Sequence, residues 1–537
     1  METDHIRLAI ENIAKYGDTD IFPFPIEKLV FFDKKEETIA LIKKIDSDFH
    51  NYLTLHPPVN INSSIPLGYT GFRWATQIDP IWNAYFLAAV ISIAKEIEST
   101  RIGKEENIIY SYRFSPNLEN PMLFDTTYNW LKFQKDSLEF VKTNLEYNFV
   151  VICDIADFYN RINHHPLENS LNRLPVYNDI PKKIKKLIHK FSNTKSYGLP
   201  IGGEAARILA ELVLNNTDRH LYNQGIKFKR FVDDLHIFCK TLQEAHSALN
   251  FLSIKLMRNE GLNLQKHKTQ IQSRIEFDKL VSSRINADSD NEKEKHRAKF
   301  MSLPINYDPY SDSAEDDYRR IKKELEEFDI VGLLNDELRK VRIHQQFGTR
   351  LIKTFDVLEP EVISNAFNSI IPKYEILYPI FPTIMKSAYK HHAKLENNTK
   401  TKLHLSLRKL VSENSYIVQS EINMTYLLRV LGLEHSLLNE ETVIKAYHLF
   451  ADSILIKSIV IQIMTRWKAY HWLTDKKDTF SIMNKWERRM FIVAANFIGD
   501  EGEHWLNYNK KEFSDLEKLI MNWSKEKSSI TNWELPL

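Results

Sequence analysis

Phe149-Val-Val-Ile-Cys-Asp154-Ile-Ala-Asp157-Phe-Tyr159-Asn-Arg-Ile162 decides how the chain reads. A run this apolar belongs in the centre of a sheet, yet it ends in Asp154 and Asp157. A buried carboxylate is costly unless it is paired or bound to metal. Strand alternation places Cys153 and Asp154 on opposite faces, so the thiol packs while the carboxylate points into a site. The plain alternative is an acid at a strand end that caps the following helix.

Two further stretches follow. In Lys227-Phe-Lys-Arg-Phe-Val-Asp233-Asp234-Leu-His-Ile-Phe-Cys239, two acids interrupt two apolar half-strands, the pattern of a hairpin with carboxylates at its tip. An adjacent Asp pair also suits a solvated turn. Read together, Asp154 and Asp233 fall side by side on neighbouring strands, with Asp234 next to them. That donor set suits two divalent ions, and hard oxygen ligands favour Mg²⁺ or Mn²⁺. Between the acid stretches lies Gly198-Leu-Pro-Ile201-Gly202-Gly203-Glu-Ala-Ala-Arg207, a turn leading into a helix expected over 203–221.

In this order the three stretches resemble motifs A, B and C of the reverse-transcriptase palm. Tyr110-Ser-Tyr-Arg113-Phe-Ser-Pro116 is similar to the fingers motif, and Gly261-Leu-Asn-Leu with Lys268-Thr269 to motif D. The resemblance implies that Asp154 and Asp233 are metal ligands and Asp234 a secondary ligand. It implies that Lys268 protonates the leaving pyrophosphate and that Arg113 holds the triphosphate. Asp157, Phe158, Ile201 and Gly202 would line the nucleotide site. Tyr159, five positions after Asp154, would be the gate against a ribose 2′-OH. Taken without the resemblance, Tyr159 is equally a core aromatic and Arg113 a salt-bridge residue.

The expected fold class is α+β. Residues 1–285 form reverse-transcriptase-like fingers and palm, 286–316 a charged linker region, and 317–537 an all-α, helical-repeat (HEAT-like) domain. One long helix is expected over 80–100, strands over 149–155, 228–231 and 235–239, and helical runs at 331–341, 402–410 and 442–463. No thumb, primer grip, RNase H or endonuclease signature is legible. With Phe72-Arg-Trp-Ala-Thr-Gln-Ile-Asp-Pro80 in the fingers and Tyr307-Asp-Pro-Tyr310, this organisation resembles the abortive-infection (Abi) reverse transcriptases, the AbiK-like group. In length the chain is nearest to that group's prophage-carried branch. The resemblance implies phage defence, homo-oligomers (trimer or hexamer), and template-independent DNA synthesis from dNTPs, primed by a protein tyrosine that stays covalently attached to the DNA. Lys15-Tyr16-Gly17-Asp18-Thr19-Asp20 resembles the priming context, though a Tyr-Gly beside two acids is also an ordinary surface loop.

Composition bounds these readings. Lys+Arg of 72 against Asp+Glu of 71 leaves a net charge of +1, without the basic excess of a duplex-gripping protein. Two cysteines in 537 residues exclude a disulfide framework and fit a reducing cytosol. The acidic start lacks the order of a signal peptide, and the apolar stretch 85–94 is short of the roughly 20 residues a bilayer needs, so a cytoplasmic protein without membrane partners is expected. The alternatives are a templated, retron-like enzyme, a helical-domain ribonuclease using Arg466 with His471 or Arg339 with His344, and a scaffold with an inactive palm. With 19 His in the chain, Arg-x₄-His pairs arise by chance.

Overall fold

The computed structural model describes residues 1–537 apart from 20, 24, 118, 177, 194, 286–299, 302, 304–320, 326 and 327. The expected linker, except for residues 300, 301 and 303, and Tyr307-Asp-Pro-Tyr310 lie outside the described residues. The chain divides into two compact units: residues 1–60 with 76–298, and residues 61–75 with 299–537. The division is therefore not contiguous in sequence. Phe72, Arg73 and Trp74, expected in the fingers, belong to the second unit.

That short insertion is a hairpin of β1 (Ile61–Leu67) and β2 (Gly71–Gln77), and β1 packs on helix Glu421–Leu431 of the same unit. The first unit is built around a four-stranded sheet of β3 (Phe149–Asp154), β4 (Lys227–Phe231), β5 (Asp234–Cys239) and β6 (Gln270–Ser273). The spatial order is β4-β5-β3-β6, and every neighbouring pair is antiparallel. β6 carries no sequence signal, because Gln270-Ile-Gln-Ser273 alternates without a large apolar residue beyond Ile271. Helices Trp130–Thr143 and Arg274–Ile285 pack together, and Leu138, Val141, Phe277 and Val281 join Val150 and Phe238 of the sheet in one core. Burying such side chains contributes about 1.5–3 kcal/mol each, which holds the acid-bearing strands in register.

Helix Pro80–Ile91 is buried at all twelve positions and passes through the middle of this unit. It stops before the expected end, and a second helix, Ala94–Thr100, follows. Ser92 turns its hydroxyl back to the Ala89 carbonyl (2.8 Å), a local bond that competes with the helical ladder. The expected run 442–463 likewise resolves into Leu437–Leu449 and Ile454–Arg466. There the Ser453 side chain accepts from the Ile456 N–H and starts a new helix.

From Ile330 the second unit is helical, and alternate helices touch. Ile330–Leu338, Pro360–Ile370, Asn397–Ser412 and Leu437–Leu449 form one row. Gln345–Lys353, Phe381–His391, Glu421–Leu431, Ile454–Arg466, Lys485–Ala495 and Asp515–Ser528 form the other. Such stacking lets each amphipathic helix bury its apolar stripe only against neighbours. Within it, His392 Nε2 and His404 Nε2 lie 2.8 Å apart near Glu434, a group that could be read as a metal site. Asn439 decides otherwise. Arg408 donates to its Oδ1 and its Nδ2 donates to the Glu434 carbonyl, so Nδ2 also donates to His404 Nδ1 (3.0 Å). In the neutral ring, His404 then carries its proton on Nε2 and donates it to His392, which makes a hydrogen-bonded pair. Among the described residues no helix is long and apolar enough to cross a membrane.

Candidate active site

Strand pairing assembles the acids. β3 and β5 run antiparallel with Asp154 directly opposite Asp234. The ladder continues one step further, where Ile155 N–H donates to the Asp233 carbonyl (3.1 Å). On the other side of β3, Gln265 N–H donates to the Asp154 carbonyl (2.7 Å) and Ala156 N–H to that of Asn263 (2.9 Å). The backbone of Asp154 is thus held from both flanks. The 261–269 segment also delivers Lys268, whose Nζ is 2.6 Å from Asp154 Oδ2. Lys268 is 64% exposed along its side chain, so its stem reaches in from solvent.

Charge is concentrated here. Burial, with the neighbouring charges of Asp234 and Asp154, raises the Asp233 carboxyl to about 6. Burial lowers the Lys268 ammonium, but its hydrogen bond to Asp154 and the charges of Asp154, Asp234 and Asp233 outweigh that and leave it raised. Cys153 is a buried free thiol pushed upward by burial, as the alternation argument expected of a packing residue.

The turn joining β4 to β5 is strained. Val232 has φ +56°, a left-handed conformation rarely adopted by a β-branched residue. Arg230 restrains it, because its Nη1 donates to the Val232 carbonyl (2.7 Å). The same guanidinium binds Asp218 (Nε–Oδ1 2.9 Å, Nη2–Oδ2 2.6 Å) and Glu211 (Nη2–Oε2 2.8 Å) on helix Glu204–Asn223. Glu211 also binds Arg101 (2.7 Å) and Ser111 (2.6 Å). Burial raises the Glu211 carboxyl, yet the flanking Arg230 and Arg101 outweigh it and keep the group below its ordinary value. Sequence reasoning missed this network. Its signal was two acids, Glu211 and Asp218, seven apart inside an otherwise apolar helix face.

Arg113 belongs to this buried network and does not face outward. It is 1% exposed, with Nη2 on the Ile102 carbonyl (2.6 Å) and Nη1 3.2 Å from Glu98. Asp157 is exposed at φ +48° and starts the short helix Phe158–Arg161, where Phe158 is buried. Tyr159 is half-buried, and its hydroxyl is enclosed beside Tyr112 and raised by burial. The motif B turn docks on this helix: Leu199 N–H donates to the Tyr159 carbonyl and Gly198 N–H to that of Ile162, both 2.8 Å. Ile201 is buried, and Gly202 has φ +104°, which its lack of a Cβ permits.

Tyr16 ends helix Thr3–Tyr16, is 37% exposed and donates its hydroxyl to Asn120 Oδ1. Beyond it, Asp18 accepts from Gln77 Nε2 (3.1 Å), and its carbonyl approaches Gly203 of the motif B turn. Of the alternative ribonuclease pairs, Arg466 binds Glu534 and the Leu535 carbonyl, and Arg339 binds Asp336 (3.5 Å).

The carboxylates of Asp154, Asp233 and Asp234 fit a divalent cation: they are hard oxygen donors on adjoining strand ends, and Asp233 is raised by burial and by the charges of its two acidic neighbours. Residues 106–305 match the family model for reverse transcriptase (RNA-dependent DNA polymerase). The chain carries a polymerase-type nucleotidyltransferase domain of the reverse-transcriptase kind. Among solved structures, apo telomerase from Candida tropicalis is 11% identical with a TM-score of 0.28, over 77% of this chain and 72% of that one. Telomerase from Candida albicans with a fragment of telomeric RNA has the same identity and TM-score, over 78% of this chain and 74% of that one. Likenesses that loose establish no shared architecture. No curated protein sequence matches the chain.

Proposed function

We infer that this chain is a template-independent, protein-primed DNA polymerase of the abortive-infection type, acting in bacterial phage defence. Nucleotidyl transfer rests on one observation: Asp154 and Asp234 face each other across β3 and β5, with Asp233 tied to Ile155 beside them. In this reading Asp154 and Asp233 hold two Mg²⁺ or Mn²⁺ ions and Asp234 assists. Ions held there would supply Lewis-acid stabilisation of the charge that develops in phosphoryl transfer. A hydroxyl gives up its proton to solvent as its oxygen bonds to the α-phosphorus of a dNTP and the bond to pyrophosphate breaks. Lys268, raised and beside Asp154, supplies the proton to the departing pyrophosphate.

Template independence and protein priming rest on the resemblance, and on a sequence in which helices follow motif D without a legible thumb or primer grip. The stacked rows of helices support a HEAT-like second domain, and a trimer or hexamer belongs to the same reading. Tyr16 is the candidate primer, being exposed near the end of its helix. The test is purified protein with Mg²⁺ and dNTPs alone. DNA covalently bound to protein is the expected product, absent from Asp233→Ala and, under the Tyr16 assignment, from Tyr16→Phe. Strict dependence on added template and primer, or a co-purifying structured RNA that is copied, overturns template independence in favour of a retron-like enzyme.

A further inference from the structure

The β1–β2 hairpin has a composition the polymerase site does not use. Ile61-Asn-Ser-Ser-Ile-Pro-Leu-Gly-Tyr-Thr-Gly-Phe72-Arg73-Trp74-Ala75 contains neither Asp nor Glu. In β2 the alternation places Phe72 and Trp74 on one face and Arg73 on the other. A strand covered on one side would bury one of these sets, yet all three residues are exposed, Phe72 at 64% and Trp74 at 55%. Single exposed apolar residues are common, but two large aromatic rings side by side on one strand mark a binding surface.

The hairpin's turn is anchored within its own unit. Tyr69 accepts the Ile343 N–H (2.8 Å) and donates its hydroxyl to the Ile376 carbonyl (2.6 Å). The Arg342 guanidinium lies over the Tyr69 ring at 5.5 Å, and Val341 beside it is exposed. Neighbouring cations are already neutralised, Arg339 by Asp336 and Lys340 by Glu337. Arg73 and Arg342 have no carboxylate partner among the described residues. Residues 341–347 contain no acid either.

Two exposed rings on one face of β2, Arg73 on its other face and Arg342 at the hairpin's turn together point to the partner. A second copy of this face would set like charges against each other, and an aliphatic partner would leave the guanidiniums unused. A single strand of nucleic acid supplies both a π-face for each ring and a phosphate for each cation. We propose that the β1–β2 hairpin, with Arg342, is a stacking platform for single-stranded nucleic acid. The polymerase reading explains why such a strand is at hand; the binding chemistry stands without it.

The test is fluorescence anisotropy of the full chain with a labelled oligothymidylate of about 16 nucleotides, the upper end of known site sizes. It is done without dNTPs and in an Asp233→Ala background, so the result does not depend on catalysis. Phe72→Ser with Trp74→Ser should weaken binding about tenfold per ring removed, and Trp74→Phe should restore most of it. Arg73→Ser should reduce the slope of log affinity against log salt by about 0.7. Unchanged affinity in the double variant overturns the proposal. So does a change in molar mass by light scattering with no change in affinity, which would assign the face to another copy of the chain. Absence of covalent DNA synthesis by the chain with Asp233 intact, alongside intact oligonucleotide binding, would count against the polymerase reading alone.

Discussion

Asp233 is the most informative single residue. Its carboxyl is raised to about 6 because this half-buried group loses solvation beside the charges of Asp234 and Asp154. Under the proposed function a divalent ion bound here would have to displace its proton, so metal affinity should be full well above pH 6 and fall as pH drops through that value. Titration of Mg²⁺ or Mn²⁺ binding should show affinity declining by about tenfold per pH unit below 6. Asp234→Asn, which removes a neighbouring negative charge, should move the decline to lower pH.

Asp18 makes the same argument for stability. Burial raises its carboxyl to about 7 against the Gln77 hydrogen bond, with Glu27 adding to the rise and Lys28 opposing it. The folded state thus binds the proton more tightly than the unfolded chain. This contribution is fully present below the unfolded value near 4 and is lost as pH rises through about 7. Asp18→Asn should therefore raise Tm at pH 8 more than at pH 5 in thermal melts. An equal change at both pH values would show that the carboxyl does not titrate between them.

At the scale of elements, the β4–β5 turn and helix Glu204–Asn223 act as one piece because Arg230 spans them. Arg230→Met removes the restraint on Val232 and leaves Glu211 and Asp218 short of a buried partner. Breaking a buried pair in this way costs about 3–5 kcal/mol, readable by chemical denaturation. Arg230→Lys keeps the charge but not the fork that binds Asp218 through two nitrogens, so it should still lose activity. Much of this level was legible in sequence. The apolar runs of β3, β4 and β5 and the Gly-Leu-Pro turn announced themselves within a residue or two. β6 did not, because a four-residue edge strand is made by its neighbour and not by its own pattern.

For the whole molecule, the discontinuous division has a consequence for dissection. The hairpin at 61–75 packs on helix Glu421–Leu431, so a fragment spanning 1–298 keeps the hairpin but loses its support. That fragment should bind a hydrophobic dye and aggregate. Replacing 61–75 by a short Gly-Ser linker should restore a cooperative melt to it. Equal behaviour of the two fragments would mean that the hairpin is stable without its helical neighbour.

The sequence by itself determined the order of the motifs and the chemistry of their side chains. Acids at the ends of apolar strands, and a glycine-rich turn between them, are local patterns that need no partner to be read. What only the tertiary structure decided is where charge is used. Arg113, assigned to the triphosphate by resemblance and otherwise read as a salt-bridge residue, lies buried against Glu98, while Arg230 looked like one more strand residue and braces the Asp-bearing turn. Phe72-Arg73-Trp74 read as part of the fingers and belongs with the helices. The reason is physical: spacing reveals which residues share a face, but burial and pairing depend on which separate elements pack against one another, which local periodicity cannot report.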